Sequence, residues 1–413
     1  MYLQPDSQPQ PQKRSRVIAE ALSRRNENQQ WEDFIVSMLV KLELTPEKRA
    51  AAEWRYKELG RHVARKLGIG ENDAHVVVQG SMRTQTTIAG DGRENFDLDI
   101  VVKLCGPRFE ALRESEPFFK MFGASLQGLE GAGQPTPKNR CWRLPYPGEP
   151  FYFDVTPAIP MSEGITGTYL RVRDEVKTWS PSNPEEFADW FCTIANKRFP
   201  FQERQRKVAI EARTTVDPLP QEKVGIEDIL RRLVQLIKLH RDSYYKGKPD
   251  NRREAKPISV ILVTLAAMAY DEIVTNEPYR YSSAIEVALE VIDRMPTFIK
   301  RGSLGVSVDN PALGGKAGEN FADKWNNDSG LRDREFKTWH QRLALDLDAL
   351  LSEEYSKRSE NRIRGLFGEH GVKAWKDSQP KPDIFAGLLA TVPAQPRSQP
   401  QAPRSTGSRD TLA

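Results

Sequence analysis

The sequence predicts an α+β protein of two lobes, a mixed α/β lobe with a mixed sheet followed by a helical lobe, with a central cleft between them. Two observations carry this expectation. Helical segments give way to short β-branched or alternating runs between residues 75 and 159, and from Ile226 onwards the apolar residues recur almost wholly at helical spacing. The length of 413 residues agrees, because about 150 residues per domain leaves room for two domains and tails.

Each element has its own signal. Over residues 29–44, Trp31, Phe34, Ile35, Met38, Leu39 and Leu42 share one helical face, and Thr45 followed by Pro46 is an N-cap and first-turn pair for a helix through about Leu67. Residues 75–79 are a short β-branched run, 96–104 alternate and then become wholly apolar, and 140–144 and 151–159 flank the turn sequence PYPGEP as a hairpin. Residues 123–139 read as an irregular loop. Further on, Ile226, Ile229, Leu230, Leu233, Val234 and Ile237 form a stripe at the helical period, with more helices near 258–273, 282–294 and 331–355. Residues 1–16 are rich in Gln and Pro and 391–413 are polar and Pro-rich, so neither end buries enough apolar area to order itself. The expected layout is a disordered tail over 1–28, the α/β lobe over 29–225, the helical lobe over 226–375 and a flexible tail over 376–413.

Composition narrows the chemistry. Apolar residues make up 38% and charged residues 29%, which fits a globular protein diluted by polar tails. The longest nearly apolar run, 258–270, is too short to cross a bilayer, and the first residues lack the apolar core of a signal peptide. A membrane protein is therefore not expected, and the cytoplasm is the expected compartment. A net charge of +4 is too small to imply a nucleic-acid coat. Three widely spaced cysteines, Cys105, Cys141 and Cys192, argue against a disulfide framework, and five histidines without close pairing argue against zinc. Carboxylates are left to carry the chemistry.

The strongest constellation is VVVQGSMRTQTTI, then FDLDIVV, then FYFDVTPAIP. A strand enters Gly80, whose missing Cβ lets the backbone approach a phosphate, and Ser81 opens a short helix with a hydroxyl and N–H groups facing that anion. Asp97 and Asp99 lie two apart on a strand and point from one face, where their repulsion calls for a divalent cation. Asp154, within the apolar run 151–155, supplies a third carboxylate from another strand. Three carboxylates around one or two hard cations suit phosphoryl or nucleotidyl transfer. Gln79 and Arg83 flank the GS turn, where either could touch phosphate.

This order of GS, helix, DxD and a later Asp resembles the polymerase-β-type nucleotidyltransferase signature, and the chain resembles the CD-NTases, bacterial relatives of cyclic GMP-AMP synthase and oligoadenylate synthetase. The segments VQLIKLHRDSYY, KPISVILVTLAA and VDNPALGGKAGENFADKW resemble that family's helical-lobe blocks, so the likeness spans about residues 44–371. It implies a cyclic di- or trinucleotide synthase acting in antiphage signalling, with Mg²⁺ as two ions or Mn²⁺ in its place, and NTP substrates including ATP. It further implies that Asp97, Asp99 and Asp154 bind metal, that Gln79, Gly80 and Ser81 meet the nucleotide, and that Lys238 and Ser259, 21 residues apart, grip its triphosphate. Some members are joined through their C-terminal residue to a target amine by ubiquitin-like conjugation enzymes, and Ala413 is the corresponding small residue here.

The chain also departs from better-known relatives. No Cys/His cluster exists for a zinc thumb, so duplex DNA is not the expected activator. Val260 rather than an aromatic follows Ser259, which leaves Tyr152, Tyr244, Tyr245 and Tyr270 as candidates for stacking on a base. Residues 196–213 interleave Lys197, Arg198, Arg204, Arg206 and Lys207 with two phenylalanines, but Glu203 and Glu211 dilute them, and a solvated connector is expected. The alternatives are a template-independent RNA-end nucleotidyltransferase, which calls for a longer basic track, and an inactive nucleotide-binding scaffold, which should have lost a carboxylate.

Overall fold

The computed structural model describes residues 14–89, 95–161, 167–174, 178–202, 228–313, 318–355 and 360–378. Its main sheet contains Ala74–Val78 (β1), Phe96–Leu104 (β2), Thr136–Pro137 (β3), Trp142–Pro145 (β4), Phe151–Pro160 (β5), Leu170–Asp174 (β6) and Thr178–Ser182 (β7). The order is β1-β2-β5-β4-β3, with β6 extending from the far half of β5 and β7 pairing β6. β2 and β5 run parallel and the other pairings are antiparallel, so the expected mixed sheet is present.

Alternation along β2 and β5 divides this sheet into two chemistries. Leu98, Ile100, Val102 and Leu104 of β2, with Phe151, Phe153 and Val155 of β5, point into a core that includes Leu59, Val63 and Leu67 of the helix Pro46–Leu67 and Phe118 and Phe122 of Ser115–Ser125. That first helix starts at the expected cap, where Thr45 Oγ1 accepts from the Lys48 N–H at 3.4 Å, and ends at Gly68 with φ +64°, which a side chain would resist. The opposite face carries Asp97 and Asp99 and then Val101, which packs with Val77, Ala158, Leu170 and Val172.

A second core is helical. Ile229–Lys246 is buried over most of its length and is flanked by Ser259–Asn276, Leu331–Ser352 and Glu360–Ser378, the last bending at Gly368. Ser259–Asn276 is apolar and long enough to span a bilayer by length and composition, yet Ile261, Leu262, Leu265, Ala266 and Ala269 are buried inside this core. Within it the Trp339 indole donates to His240 Nδ1 at 3.1 Å, and His240 Nε2 faces Asp346 at 3.1 Å, which fixes one ring tautomer between two helices.

Several features depart from the sequence expectation, among them β3 within the expected loop over 123–139 and the strands β6 and β7. The tail expected over 1–28 is not a tail throughout: Arg14–Arg24 is a helix whose Ile18 and Leu22 are buried in the helical core, with Arg14 paired to Asp293 at 2.7 Å and to Asp348. The lobes are also not successive stretches of chain. Trp31, Phe34 and Met38 of Asn28–Val40, and Phe191 and Ile194 of Pro184–Ala195, belong to the helical core although they precede residue 226. Finally, Lys300–Gly302 and Gly305–Ser307 form a small hairpin in the stretch whose signals are almost wholly helical. The expected tail over 376–413 lies outside the described residues from 379 onwards.

The docking of the first helix is testable. Leu22→Ala should lower the unfolding free energy by about 2–5 kcal/mol, read by chemical denaturation. An unchanged midpoint would mean that Arg14–Arg24 does not pack on the helical core.

Candidate active site

The register of two parallel strands builds the site. Asp99 of β2 lies directly beside Asp154 of β5, and Asp97 lies beside Tyr152, so Asp97, Asp99 and Asp154 share one face. Each offers an oxygen within 4.8 Å of the other two. All three expected metal-binding residues are therefore brought together. Oxygen donors from three carboxylates at this spacing suit a hard divalent cation such as Mg²⁺.

Electrostatics points the same way. Burial first, and Asp154 second, push the Asp97 carboxyl up from an ordinary 3.8 to about 6. Burial, then Asp97 and Asp154, push Asp99 up to about 8. Water still reaches 51% of the Asp97 side chain, so screening weakens its share of the repulsion. Carboxylates crowded until they hold protons near neutrality bind a cation that replaces those protons.

The GS turn is shaped around the same group. Gly80 has φ +61° and opens the short helix Gly80–Arg83, while a Cβ there would clash with Asp99 Oδ2. Gly80 is thus required twice, by its backbone angle and by the carboxylate pressed against it. The Gln79 N–H donates to the Asp99 carbonyl at 3.0 Å, and Thr87 Oγ1 donates to Ser81 Oγ at 3.1 Å, which fixes the turn over the strand.

Gln79, Gly80, Ser81, Asp97 and Asp99 line one wall of a cleft of about 970 Å³. Across it the helical lobe presents Lys238, Arg241, Lys246, Arg253, Lys256 and Lys324, with Asp242 paired to Arg241 and Lys256 and with Glu319 and Asp323 also in the lining. A carboxylate wall facing a cationic wall can hold a polyanion whose charge is shared between a metal and basic side chains.

Lys238 is only 6% exposed, and its Nζ donates to the Thr86 carbonyl at 3.0 Å. Burial, with Arg241 nearby, lowers its pKa to about 8, which leaves the ammonium mostly charged at neutral pH. Ser259, the first residue of its helix, accepts from Arg241 at 2.9 Å. Both line the cleft.

Other candidates are sorted by position. Arg83 turns to Asp189 at 2.9 Å on Pro184–Ala195 and Tyr270 is fully buried, so neither faces the cleft, whereas Tyr152 and Tyr245 line it. Lys197 pairs with Asp271, while Arg204, Arg206, Lys207 and Ala413 lie outside the described residues.

Sequence reading missed Arg143. The turn after Pro145 pairs Pro145 with Tyr152, which sets Arg143 opposite Asp154. Counting back from PYPGEP would have found it. Arg140 was also missed; from the sheet lobe it reaches Asp174 at 3.0 Å and Glu319 at 3.3 Å at the cleft edge.

The raised carboxyl values set a pH window. From about 4 upwards the folded protein holds protons that the unfolded chain has released, on Asp97 until about 6 and on Asp99 until about 8, so without divalent cations stability should fall as pH rises through that range. Thermal melts in chelator should show this slope in the native protein and lose much of it in the Asp97→Asn/Asp99→Asn variant. Equal slopes would remove the repulsion from the account. Gly80→Ala should displace Asp99 and weaken Mn²⁺ binding in a calorimetric titration, and native affinity in that variant would contradict the turn's role.

No protein-family model matches the chain. A c-di-GMP synthase of Roseivirga ehrenbergii is 26% identical over 316 residues, which span 73% of this chain and 74% of that protein. The cyclic dinucleotide synthase CdnG of Bradyrhizobium diazoefficiens is 27% identical over 371 residues, covering 82% of this chain and 80% of that protein. The solved structure of the Bradyrhizobium diazoefficiens CD-NTase CdnG in complex with GTP has the same fold, with a TM-score of 0.63 at 21% identity over 84% of this chain and 97% of that one. By sequence the chain is thus similar to two cyclic dinucleotide synthases, and it shares its fold with a solved CD-NTase.

Proposed function

We propose that the protein is a Mg²⁺-dependent nucleotidyltransferase that joins two nucleoside triphosphates and closes them into a cyclic dinucleotide. The observation that carries this reading is the cleft itself, with Asp97 and Asp99 on one wall and a row of cationic side chains on the other. Both curated relatives are named for cyclic dinucleotide synthesis, and one names c-di-GMP, so GTP is the first substrate to test, with ATP beside it.

The reaction divides among this chain's residues. Asp97, Asp99 and Asp154 would hold Mg²⁺, which supplies charge neutralisation on the transferring phosphate and acidifies the attacking ribose hydroxyl. Asp154 sits on the neighbouring strand and would orient that hydroxyl. Gln79, Gly80 and Ser81 bound the triphosphate end, where the first-turn N–H groups of the short helix meet the outer phosphates. Lys238 and Ser259 grip the same triphosphate from the helical lobe. Attack of a ribose oxygen on the α-phosphorus forms the new P–O bond as the bond to pyrophosphate breaks, and a second such attack within the linear product closes the ring.

A cytoplasmic second messenger of antiphage defence is the role this activity would serve, with duplex DNA not required. Conjugation of Ala413 by a ubiquitin-like enzyme would then adjust output.

Incubation with the four NTPs and Mg²⁺ should yield a phosphatase-resistant product with the mass of a cyclic dinucleotide. The Asp97→Ala/Asp99→Ala variant should remain folded and make none, because Arg143 still neutralises the remaining Asp154. A linear or RNA-linked product from the native protein would favour RNA-end addition instead. Lys238→Ala should weaken NTP binding by about 1.5–3 kcal/mol, the contribution of a hydrogen bond to a charged group. Unchanged apparent affinity would remove Lys238 from the triphosphate.

A further inference from the structure

We propose that Arg143 is an internal cation that occupies Asp154 when no metal is bound, so that loading this side of the site exchanges one cation for another. The inference rests on the metal-site reading above and concerns how that site fills. In the hairpin, β4 and β5 place Arg143 directly opposite Asp154. The guanidinium then engages both carboxylate oxygens, with Nε donating to Oδ1 at 2.8 Å and the second nitrogen donating to Oδ2 at 2.7 Å. That second nitrogen also lies 3.9 Å from Asp97 Oδ2. Arg143 therefore bridges two of the three carboxylates, a position of the kind a divalent cation would take.

Three further observations show that this pair is held in place. The guanidinium lies over the Tyr152 ring at 4.0 Å, and Tyr152 is the register neighbour of Asp97, so its face and its edge are both engaged. The bidentate bond to Asp154 pushes the Arg143 pKa further up, and the group is cationic at every working pH. Asp154 is 9% exposed and is absent from the cleft lining that includes Asp97 and Asp99. A cation arriving through the cleft thus meets Asp97 and Asp99 first, with a fixed positive charge beyond them.

The consequence is an order of loading. A cation held by Asp97 and Asp99 is the easier one to bind. Full use of Asp154 requires Arg143 to give up its two hydrogen bonds, which becomes favourable when another anion in the cleft can receive it. A nucleoside triphosphate is such an anion. Arg143 is accordingly a positioning residue that keeps Asp154 neutralised and in register until a nucleotide in the cleft can receive the guanidinium.

Mn²⁺ titration of the full chain without nucleotide, by calorimetry and electron paramagnetic resonance, tests this directly. Arg143→Gln removes the charge and should bind Mn²⁺ about tenfold more tightly than the native protein, whereas Arg143→Lys keeps the charge and should stay close to it. Equal or weaker binding by Arg143→Gln would overturn the proposal, since a residue that merely braces Asp154 for the metal predicts that direction. Absence of Mn²⁺ binding in all three proteins would instead overturn the metal site itself, and this proposal with it. If Arg143→Gln does not fold, the Arg143 Nε–H resonance of the native protein decides. It should shift and lose exchange protection as Mg²⁺ and a non-reacting triphosphate are added together, and a resonance unmoved at saturation would overturn the exchange.

Discussion

Repulsion among three carboxylates on two adjacent parallel strands is the constraint around which this molecule is arranged. β2 and β5 cannot pair in their observed register without setting Asp99 against Asp154, and alternation along β2 puts Asp97 on the same face. The apolar faces of the same strands, from Leu98 and Ile100 to Phe151 and Phe153, lock that register into the core. A shift of one residue would turn the aspartates into the apolar core and the phenylalanines out of it. The unfavourable cluster is held by favourable packing on the other side of the sheet, which is how a fold can keep a site that is costly when empty.

The second lobe answers this charge from across the cleft. Its central helix is buried on most of its surface, yet Lys238 and Arg241 reach the cleft wall from it. The lobes are tied by polar contacts as well as by chain. Arg231 Nε donates to the Thr84 carbonyl at 3.0 Å, and Lys238 donates to Thr86 two residues on, so the loop after the GS turn is fastened to the helix that carries the basic side chains. Turn, carboxylates and cationic wall consequently keep fixed positions relative to one another. Transfer chemistry depends on that preorganisation more than on any single group.

Much of this was legible in the sequence because it is local. Strand 96–104, the Thr45–Pro46 helix start and the hairpin around PYPGEP are each written in a few consecutive residues, and the structure follows them. Asp154 could be recognised because a carboxylate inside FYFDV needs a reason to be there. What escaped notice depends on distant partners. The helix Arg14–Arg24 is short and charged, and its order comes from Asp293, Asp348 and Glu290, which lie hundreds of residues away. β7 contains Pro181, which argues against a strand until its position beyond β6 makes it an edge. Arg143 is different: its partner follows from the hairpin register, but its importance depends on how three carboxylates meet in space.

The most direct measurement of the central claim, that Asp97, Asp99 and Asp154 form one divalent-cation site, is anomalous diffraction from crystals grown with Mn²⁺ and a non-reacting triphosphate. The account predicts anomalous density within bonding distance of all three carboxylates, at about 2–2.5 Å for oxygen ligands, with the triphosphate reaching the wall that carries Lys238. Anomalous density only elsewhere, with Asp154 still bound by Arg143 and the triphosphate outside the cleft, would contradict it.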